Sequence, residues 1–284
     1  MTDDKLAQSV DAVRIAVAQA RHQGRSIGLV PTMGALHAGH VSLIQAARAE
    51  TGFVVVSIFV NPTQFGPQED LAHYPRPLAD DLRVCAREGV DLVFHPEAAI
   101  MYPPGFRTFV QVEGLQDVLC GQSRPGHFRG VATVVLKLLN IVQPDVAYFG
   151  QKDAQQICII QRMIRDLDVP VRVRVCPIVR EPDGLAQSSR NQYLDPNQRR
   201  QASALYRALQ EARELVEKGT RDASVVQQTL AARIQQTPGA VLDYAAVVDA
   251  ETLQPLAQLQ GPVLLALAVK FGSTRLIDNL QLHI

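Results

Sequence analysis

Apolar runs alternate with segments of helical periodicity through the first two thirds of this 284-residue chain. The runs that predict strands cover residues 27–30, 53–60, 91–94, 145–149 and 171–176, and the helical patterns cover 41–49, 78–88, 131–142 and 154–167. Strands separated by helices pair in parallel through right-handed crossovers. The sequence therefore predicts an α/β fold with a doubly wound parallel sheet of Rossmann-like type.

The pattern changes near Pro177. A polar loop over 179–194 is followed by two helical stretches, 196–218 and 223–236, and by strand patterns at 242–248 and 263–270 with a turn at 271–274. We expect a Rossmann-like domain over residues 1–178 and a smaller α+β C-terminal domain over residues 179–284.

Charge and composition exclude several functional classes. The formal net charge is +0 and the pI is about 7.1, which argues against broad electrostatic binding to nucleic acid or to a membrane surface. No apolar run approaches the roughly 20 residues that a bilayer-spanning helix needs. Residues 1–5 are acidic and polar, unlike a secretory signal. The four cysteines are scattered and lack metal-ligand spacing, as is typical of buried thiols in a reducing cytosol. Together these observations predict a cytoplasmic protein with no nucleic-acid or membrane partner.

Residues 31–40, PTMGALHAGH, connect the first strand of the alternation to its helix. His37 and His40 are three residues apart, so a helix that begins near Ala38 places both imidazoles on one side of its first turn. Unpaired backbone N–H groups and the positive end of the helix dipole point to the same place. Such a site suits phosphate during nucleotidyl transfer, and Gly39 leaves the space between the rings open. The alternative is a surface cap or a chance pair of histidines.

A second strand-to-helix connection has the same layout. Gly150 follows an apolar strand, and Lys152 and Asp153 follow Gly150. A lysine there neutralises phosphate and an aspartate accepts from ribose hydroxyls, while Gln156 projects one turn further along. The alternative for Asp153 is a plain helix N-cap. The chain has no P-loop lysine and no GxGxxG after a strand, so a nucleotide needs a different phosphate cradle.

Polar residues follow the second strand and occupy the helix after it. Asn61 and Gln64 bring amide groups to the carboxyl edge of the sheet, where polar substrates bind, although an Asn-Pro turn explains them equally. Asp80 and Asp81 lie within a helical pattern. Adjacent carboxylates favour solvated surface charge, and the alternative is a Mg²⁺ site completed by water and substrate phosphates.

Two further loops carry basic residues. The Ser-Ser-Arg sequence at 188–190 suits a mobile clamp on phosphates, although the pattern is common in loops. Arg124, His127 and Arg129 fall in a Gly/Pro-punctuated loop over 122–130, which suits an anionic substrate.

Five strings occur in order across residues 30–191: PTMGALHAGH, FVNPTQFGPQEDLAHYPR, GHFRGVATVV, FGQKDAQQ and DGLAQSSRN. Together they resemble the pantoate–beta-alanine ligase (pantothenate synthetase) family of the HIGH-motif nucleotidyltransferase superfamily. The second domain matches that family in size and layout more than in motif. The resemblance implies condensation of (R)-pantoate with beta-alanine through a pantoyl-adenylate, with ATP as co-substrate, Mg²⁺, and release of AMP and pyrophosphate.

The resemblance also implies roles for individual residues. Contacts to the ATP phosphates are expected from His37, His40, Lys152, Ser188, Ser189 and Arg190. The rest of the ATP site is expected to include Pro31, Thr32, Met33, Gly39, Phe149, Gly150, Asp153 and Val179. Pantoate and beta-alanine are expected at Met33, Asn61, Gln64, Arg124, His127 and Gln156, and Mg²⁺ near Asp80 and Asp81.

The resemblance has two local departures and leaves rival functions open. Ala154 stands where the family usually has an aromatic residue, and Gln187 replaces a methionine. The resemblance also suggests a homodimer. A cytidylyltransferase-type enzyme shares HxGH but uses a phosphorylated acceptor, whereas the amides of Gln64 and Gln156 favour a polyol acid. A silent nucleotide sensor or RNA-binding remnant is the other rival. Neutral charge and the absence of tryptophan give little support for nucleic-acid stacking, and the presence of His37, His40, Lys152 and Arg190 argues against a silent protein.

Overall fold

The computed structural model describes residues 5–67 and 69–284. The chain divides into two compact units. The first unit contains residues up to 116, 124–150 and 159–177, and the second contains 117–123, 151–158 and 178–284. The last crossing between the units lies between residues 177 and 178, and two short stretches before it cluster with the second unit. The division into residues 1–178 and 179–284 stays a prediction.

A six-stranded parallel sheet forms the first unit, which confirms the predicted fold class. Its strands are β1 (Leu6–Ala7), β2 (Ile27–Thr32), β3 (Phe53–Ile58), β4 (Leu92–Phe94), β5 (Val146–Gly150) and β6 (Arg172–Cys176), in the order β1-β4-β3-β2-β5-β6. β3 is buried along its whole length, as a continuous apolar run predicts for a central parallel strand. After β2 the chain adds β3 and β4 on one side of β2 and then β5 and β6 on the other, so the strand order switches between β2 and β5. In open α/β sheets, ligands bind at such a switch point, beyond the carboxyl ends of the strands.

Helices connect and cover these strands. They are α1 (Val10–His22), α2 (Ala38–Glu50), α3 (Leu78–Arg87), α4 (Ala98–Met101), α6 (His127–Val142) and α7 (Ala154–Asp166). The short α5 (Cys120–Ser123) and residues 154–158 of α7 belong to the second unit. The sequence did not predict β1, α1, α4 or α5. Its other elements in this part of the chain lie within a few residues of the observed ones.

The start of α6 corrects one prediction. His127 and Arg129, expected in a loop, lie in the first turn of α6, which begins directly after Gly126 in the left-handed region (φ 82°). The apolar periodicity of the helix therefore begins at Phe128 rather than at Val131. α6 also packs closely on the turn after β3, because a Cβ added at Gly130 would lie 2.4 Å from the carbonyl oxygen of Thr63.

The second unit contains a three-stranded antiparallel sheet, β7 (Ala240–Asp249), β8 (Pro262–Phe271) and β9 (Thr274–His283), with helices α8 (Pro196–Ala202), α9 (Ala204–Glu217) and α10 (Ala223–Gln235). The helix predicted over 196–218 is two helices that meet at Ser203. β9 was not predicted, because Asp278 and Asn279 interrupt its apolar pattern and are rare strand residues. Among the described residues, no helix has the length and apolar character needed to cross a membrane.

Candidate active site

The turn between β2 and α2 brings the two motif histidines together. His37 is the N-cap of α2, and its Nδ1 accepts the N–H of Gly39 at 3.1 Å. His40 Nδ1 accepts the N–H of His37 at 3.3 Å, and the ring centroids are 4.1 Å apart. The predicted helix start and shared side are therefore confirmed. Since each Nδ1 accepts a backbone proton, each neutral ring carries its own proton on Nε2 and presents that nitrogen as a donor.

Asp81 of α3 stabilises this turn through hydrogen bonds to its backbone. Its carboxylate accepts the N–H of Ala35 at 2.9 Å and that of Leu36 at 2.7 Å. The side chain is 2% exposed, so the surface position that the sequence favoured for it is wrong. Burial raises the pKa of Asp81, and the two backbone hydrogen bonds partly oppose that rise. Gly34 has φ 84°, and a Cβ added there would lie 2.9 Å from Asp81 Oδ2, which requires glycine at this contact.

The two adjacent aspartates differ in their surroundings and fit a Mg²⁺ site poorly. Asp80 is exposed and pairs with Arg83, as expected for surface charge. Both oxygens of Asp81 are engaged by the turn. Within the described ranges, no group of three or more His, Cys, Asp or Glu side chains is arranged to hold a metal ion. Mg²⁺ binding at this pair stays a prediction of the resemblance, and the contacts give Asp81 a structural role.

Asn61 is buried in the turn after β3 and makes several side-chain hydrogen bonds there. It is 1% exposed, and its Oδ1 accepts from the N–H of Thr63 and the hydroxyl of Tyr102. Its Nδ2 donates to Gln64 Oε1 and to the carbonyl of Gly130, both at 3.1 Å. Asn61 therefore caps this turn and holds the carboxamide of Gln64, and a substrate contact at Asn61 stays a prediction.

Gln64 joins two other predicted residues. Its Nε2 lies 3.1 Å from Met33 Sδ, and its carbonyl accepts from His127 Nδ1 at 2.8 Å. Arg124 Nη1 lies 3.0 Å from His127 Nε2. Because arginine only donates, Nε2 accepts and the proton of His127 is on Nδ1. The structure thus brings Met33, Asn61, Gln64, Arg124 and His127 into one network.

Glu69, which no sequence pattern predicted as a site residue, completes that network. Arg124 donates to both of its oxygens, at 2.7 and 2.6 Å. Burial by itself would raise the pKa of Glu69, but the hydrogen bonds and charge of Arg124 outweigh burial and lower it. A lone glutamate in a polar loop looks like surface charge, so the sequence offered no signal for this pairing.

The remaining predicted residues of the first unit lie at the ends of β2 and β5. Thr32 is buried, and its hydroxyl donates to the carbonyl of Ser57 at 2.7 Å, so its side chain stabilises the sheet. Phe149 is buried as well, which leaves only its backbone for a ligand. A Cβ added at Gly150 would meet nothing within 4 Å, so the backbone there borders open space.

In the second unit, Lys152 and Asp153 lie in a 3₁₀ turn, Gln151–Asp153, directly before α7. Lys152 Nζ is 4.0 Å from Asp153 Oδ1. Gln155 rather than Gln156 is the buried amide of this helix turn, and it donates to the carbonyl of Val118. Gln156 is half-buried.

A short hairpin leads to the Ser-Ser-Arg segment. The carbonyl of Val179 accepts the N–H of Gln187 at 2.9 Å, which closes the hairpin. Ser188 Oγ accepts the N–H of Arg190 and caps a 3₁₀ helix, Ser189–Tyr193. The loop predicted over 179–194 therefore contains regular structure.

Comparison with known proteins finds similarity over nearly the whole chain, beyond the five sequence strings in residues 30–191. The family model described as pantoate-beta-alanine ligase matches residues 5–281. The pantothenate synthetase of Moorella thermoacetica is 58% identical over 280 residues, covering 99% of each chain. That of Acetivibrio thermocellus is 52% identical, covering 99% of this chain and 100% of the relative.

Solved structures agree with these relatives. Pantothenate synthetase from Thermus thermophilus superposes with a TM-score of 0.93 at 46% identity, covering 97% of this chain and 98% of the other. Pantoate-beta-alanine ligase from Francisella tularensis, complexed with beta-gamma ATP and beta-alanine, gives 0.76 at 34% identity, covering 97% and 96%. The likeness spans the sequence of both units.

Proposed function

The chain belongs to the pantoate–beta-alanine ligase family, and from that premise we propose how its residues carry out the reaction. It is a ligase of pantothenate biosynthesis that forms a C–N bond with ATP as co-substrate. The observation that carries the residue assignment is the pair of imidazoles at the start of α2, beyond the carboxyl end of β2. Their Nε2 donors and the N-terminal end of the helix form a phosphate site.

In the first step, the carboxylate of pantoate attacks the α-phosphorus of ATP. A P–O bond forms to the carboxylate, and the bond to the pyrophosphate oxygen breaks. The carboxylate is ionised at neutral pH because its pKa is about 4, so this step needs no general base. His37 and His40 donate to phosphate oxygens as negative charge moves onto pyrophosphate.

Lys152, Ser188, Ser189 and Arg190 of the second unit are proposed to bind ATP phosphates. Lysine and arginine offset the repulsion between the carboxylate and the triphosphate, and charge-assisted hydrogen bonds are the strong ones. Asp153, Gly150 and Val179 are proposed for the nucleoside. The open backbone at Gly150 supports this assignment.

Gln64 is proposed to orient pantoate, with Gln156 as a second amide. Asn61 fixes the carboxamide of Gln64 through Oε1, and Met33 contacts its Nε2. An amide held at both ends has a fixed direction, which lowers the entropic cost of orienting the substrate.

In the second step, the uncharged amine of beta-alanine attacks the acyl carbon of the adenylate. The C–N bond forms as the acyl C–O bond to AMP breaks, and the proton that the amine loses passes to a phosphate oxygen of the departing AMP. His127 has its Nδ1 on the Gln64 carbonyl and its Nε2 on Arg124, so we assign it a positioning role rather than that of the base. Arg124 is proposed to contribute its positive charge to the binding of the carboxylate-bearing substrates pantoate and beta-alanine.

Mg²⁺ bound with ATP would neutralise phosphate charge. Both oxygens of Asp81 are engaged by the motif turn, so the proposed mechanism relies on the cationic and donor groups of the chain rather than on a carboxylate-held metal.

Oxygen-18 transfer tests the adenylate route. Pantoate labelled in its carboxylate is turned over with ATP and beta-alanine, and the products are analysed by mass spectrometry. An acyl-adenylate leaves one labelled oxygen in AMP and none in pyrophosphate. Label in inorganic phosphate, with ADP as the other product, contradicts the mechanism. Turnover that requires a phosphorylated acceptor favours the cytidylyltransferase rival.

A homodimer in a reducing cytoplasm belongs to the same proposal. Family membership supports the dimer, and the four free cysteines fit a reducing compartment. Light scattering of the purified chain tests the dimer: a mass of twice 31.1 kDa is expected, and 31.1 kDa contradicts it.

A further inference from the structure

Asn279 of β9 binds the backbone on both sides of Lys152. Its Nδ2 donates to the carbonyl of Gln151 at 3.0 Å and to the carbonyl of Lys152 at 2.9 Å. Its Oδ1 accepts from Gln151 Nε2 at 3.2 Å, which fixes the direction of the amide. Asn279 is 3% exposed.

These two carbonyls belong to the two peptide planes that flank the Cα of Lys152. The carbonyl of Gln151 lies in the plane that precedes this Cα, and the carbonyl of Lys152 lies in the plane that follows it. The planes are rigid, so holding both restricts φ and ψ of Lys152 together. What remains adjustable is the torsion of the lysine side chain itself.

Asn279 is in turn held by its neighbour. Asp278 Oδ1 accepts the backbone N–H of Asn279 at 2.8 Å. The same carboxylate receives two hydrogen bonds from Arg180, at 2.6 and 2.9 Å, and it is almost fully buried. Consecutive strand residues face opposite sides of a sheet, so burial of both shows that β9 is covered on both sides here.

Burial of an amide and a carboxylate in a strand is costly unless their hydrogen bonds are made. Packing alone would be served as well by a leucine, which has nearly the shape of asparagine. The polar pair therefore calls for a reason beyond packing, and the only backbone that the Asn279 carboxamide binds among the described contacts is that of residues 151 and 152.

We propose that Asn279 is a positioning residue that aims Lys152 at the ATP phosphates by fixing the backbone around it. The inference rests on the phosphate role proposed for Lys152. It assigns a function in the ATP half-reaction to the C-terminal strand, which carries none of the residues implied by the family resemblance.

Asn279→Ala and Asn279→Leu test the proposal in the full-length enzyme. Both remove the donor group of the amide, and leucine keeps the branched shape of the side chain at a larger volume. We expect kcat/KM for ATP to fall about 10- to 100-fold in both, because a 1 Å misplacement of a catalytic group costs up to about 100-fold. KM for beta-alanine is expected to stay unchanged. Gln281→Ala, on the same strand and face but exposed, is the matched control and is expected to keep wild-type kinetics.

A double-mutant cycle with Lys152→Ala separates positioning from general stability. If Asn279 acts through Lys152, Asn279→Ala has little further effect once the lysine side chain is absent. Additive losses of kcat/KM, or full activity of Asn279→Leu, overturn the proposal. If Lys152→Ala alone leaves kcat/KM for ATP unchanged, the phosphate role of Lys152 fails instead, and the two failures are distinguishable.

Gln151→Ala keeps the test decisive if the Asn279 variants fail to fold. It removes only the side chain that orients the Asn279 amide and leaves both carbonyls in place. The same selective loss of kcat/KM for ATP, smaller in size, is expected. Unchanged ATP kinetics in this variant count against the proposal.

Discussion

The two phosphate-binding segments proposed here are built in opposite ways. The histidine turn of the first unit follows β2, and the lysine segment of the second unit follows β5, the strand paired with β2 in the sheet. The histidine turn makes its hydrogen bonds among residues two or three apart in sequence, with help from Asp81, which is 45 residues from Leu36. The lysine segment is held by Asn279, 127 residues further along.

This difference explains what each segment reveals in the sequence. The histidine turn is stabilised by hydrogen bonds between neighbouring residues of the motif itself. A short sequence motif therefore predicts both the conformation of the turn and the position of the histidines. A segment fixed by a distant strand shows only its reactive residues.

Lys152→Ala tests the lysine segment directly. We expect kcat to fall by about 10² to 10³, since loss of one preorganised donor to transition-state charge costs that much. The measurement is pyrophosphate release at saturating substrates. Lys218→Ala, at the exposed end of α9, is the matched control and should retain normal turnover. Normal turnover in Lys152→Ala as well would contradict the role proposed for Lys152 in binding the ATP phosphates.

Asp81→Asn and Asp80→Asn distinguish a structural from a metal-binding carboxylate pair. The first change turns one acceptor into a donor against a backbone N–H, so we expect a loss of about 1–3 kcal/mol in the free energy of unfolding. Asp80→Asn should leave stability unchanged, because Asp80 is exposed. Urea unfolding measures both. If instead both variants raise the Mg²⁺ concentration needed for turnover equally, the metal role of the pair is supported and the structural assignment is incomplete.

The Arg124–Glu69 pair gives the first unit an acid-sensitive contact. Arg124 lowers the pKa of Glu69 below its ordinary 4.5 despite the opposing effect of burial. The folded state thus binds this proton less tightly, so the stabilisation is complete above pH 4.5 and is lost as pH falls through the folded-state pKa. Glu69→Gln should cost roughly 1 kcal/mol at pH 7. That difference from wild type should vanish in urea unfolding at acidic pH, and a difference that grows with acid would contradict the assignment.

Gln187→Met probes a departure from the family pattern and has the smallest expected effect. The backbone bond that closes the hairpin remains, and only the side-chain bond to Glu181 is lost. We expect a change within about 0.5 kcal/mol in unfolding free energy, as for most substitutions away from buried networks. A larger loss in thermal unfolding would show that the hairpin depends on this side chain.

The sequence predicted the alternation of strands and helices because parallel strands are buried on both faces and leave continuous apolar runs, as in β3. It also placed His37 and His40 correctly at the start of a helix. It could not predict β9, since Asp278 and Asn279 look like loop residues until their distant partners are known.

The burial of Asp81 was missed for the same reason. Its partners are backbone N–H groups of another segment, which no side-chain pattern reveals. His127 was misplaced because the Pro-Gly pair before it marks the end of a loop and was interpreted as its middle. Local hydrogen bonds are thus visible in the sequence, and long-range polar contacts are not.

Pantoate-dependent exchange of labelled pyrophosphate into ATP, measured without beta-alanine in wild type and His40→Ala, tests the central claim most directly. The wild-type enzyme is expected to exchange only when pantoate is present. His40→Ala should lose exchange by orders of magnitude while its circular dichroism spectrum stays that of the wild type. Exchange that ignores pantoate, or that survives in His40→Ala, would contradict an adenylate formed at the histidine turn.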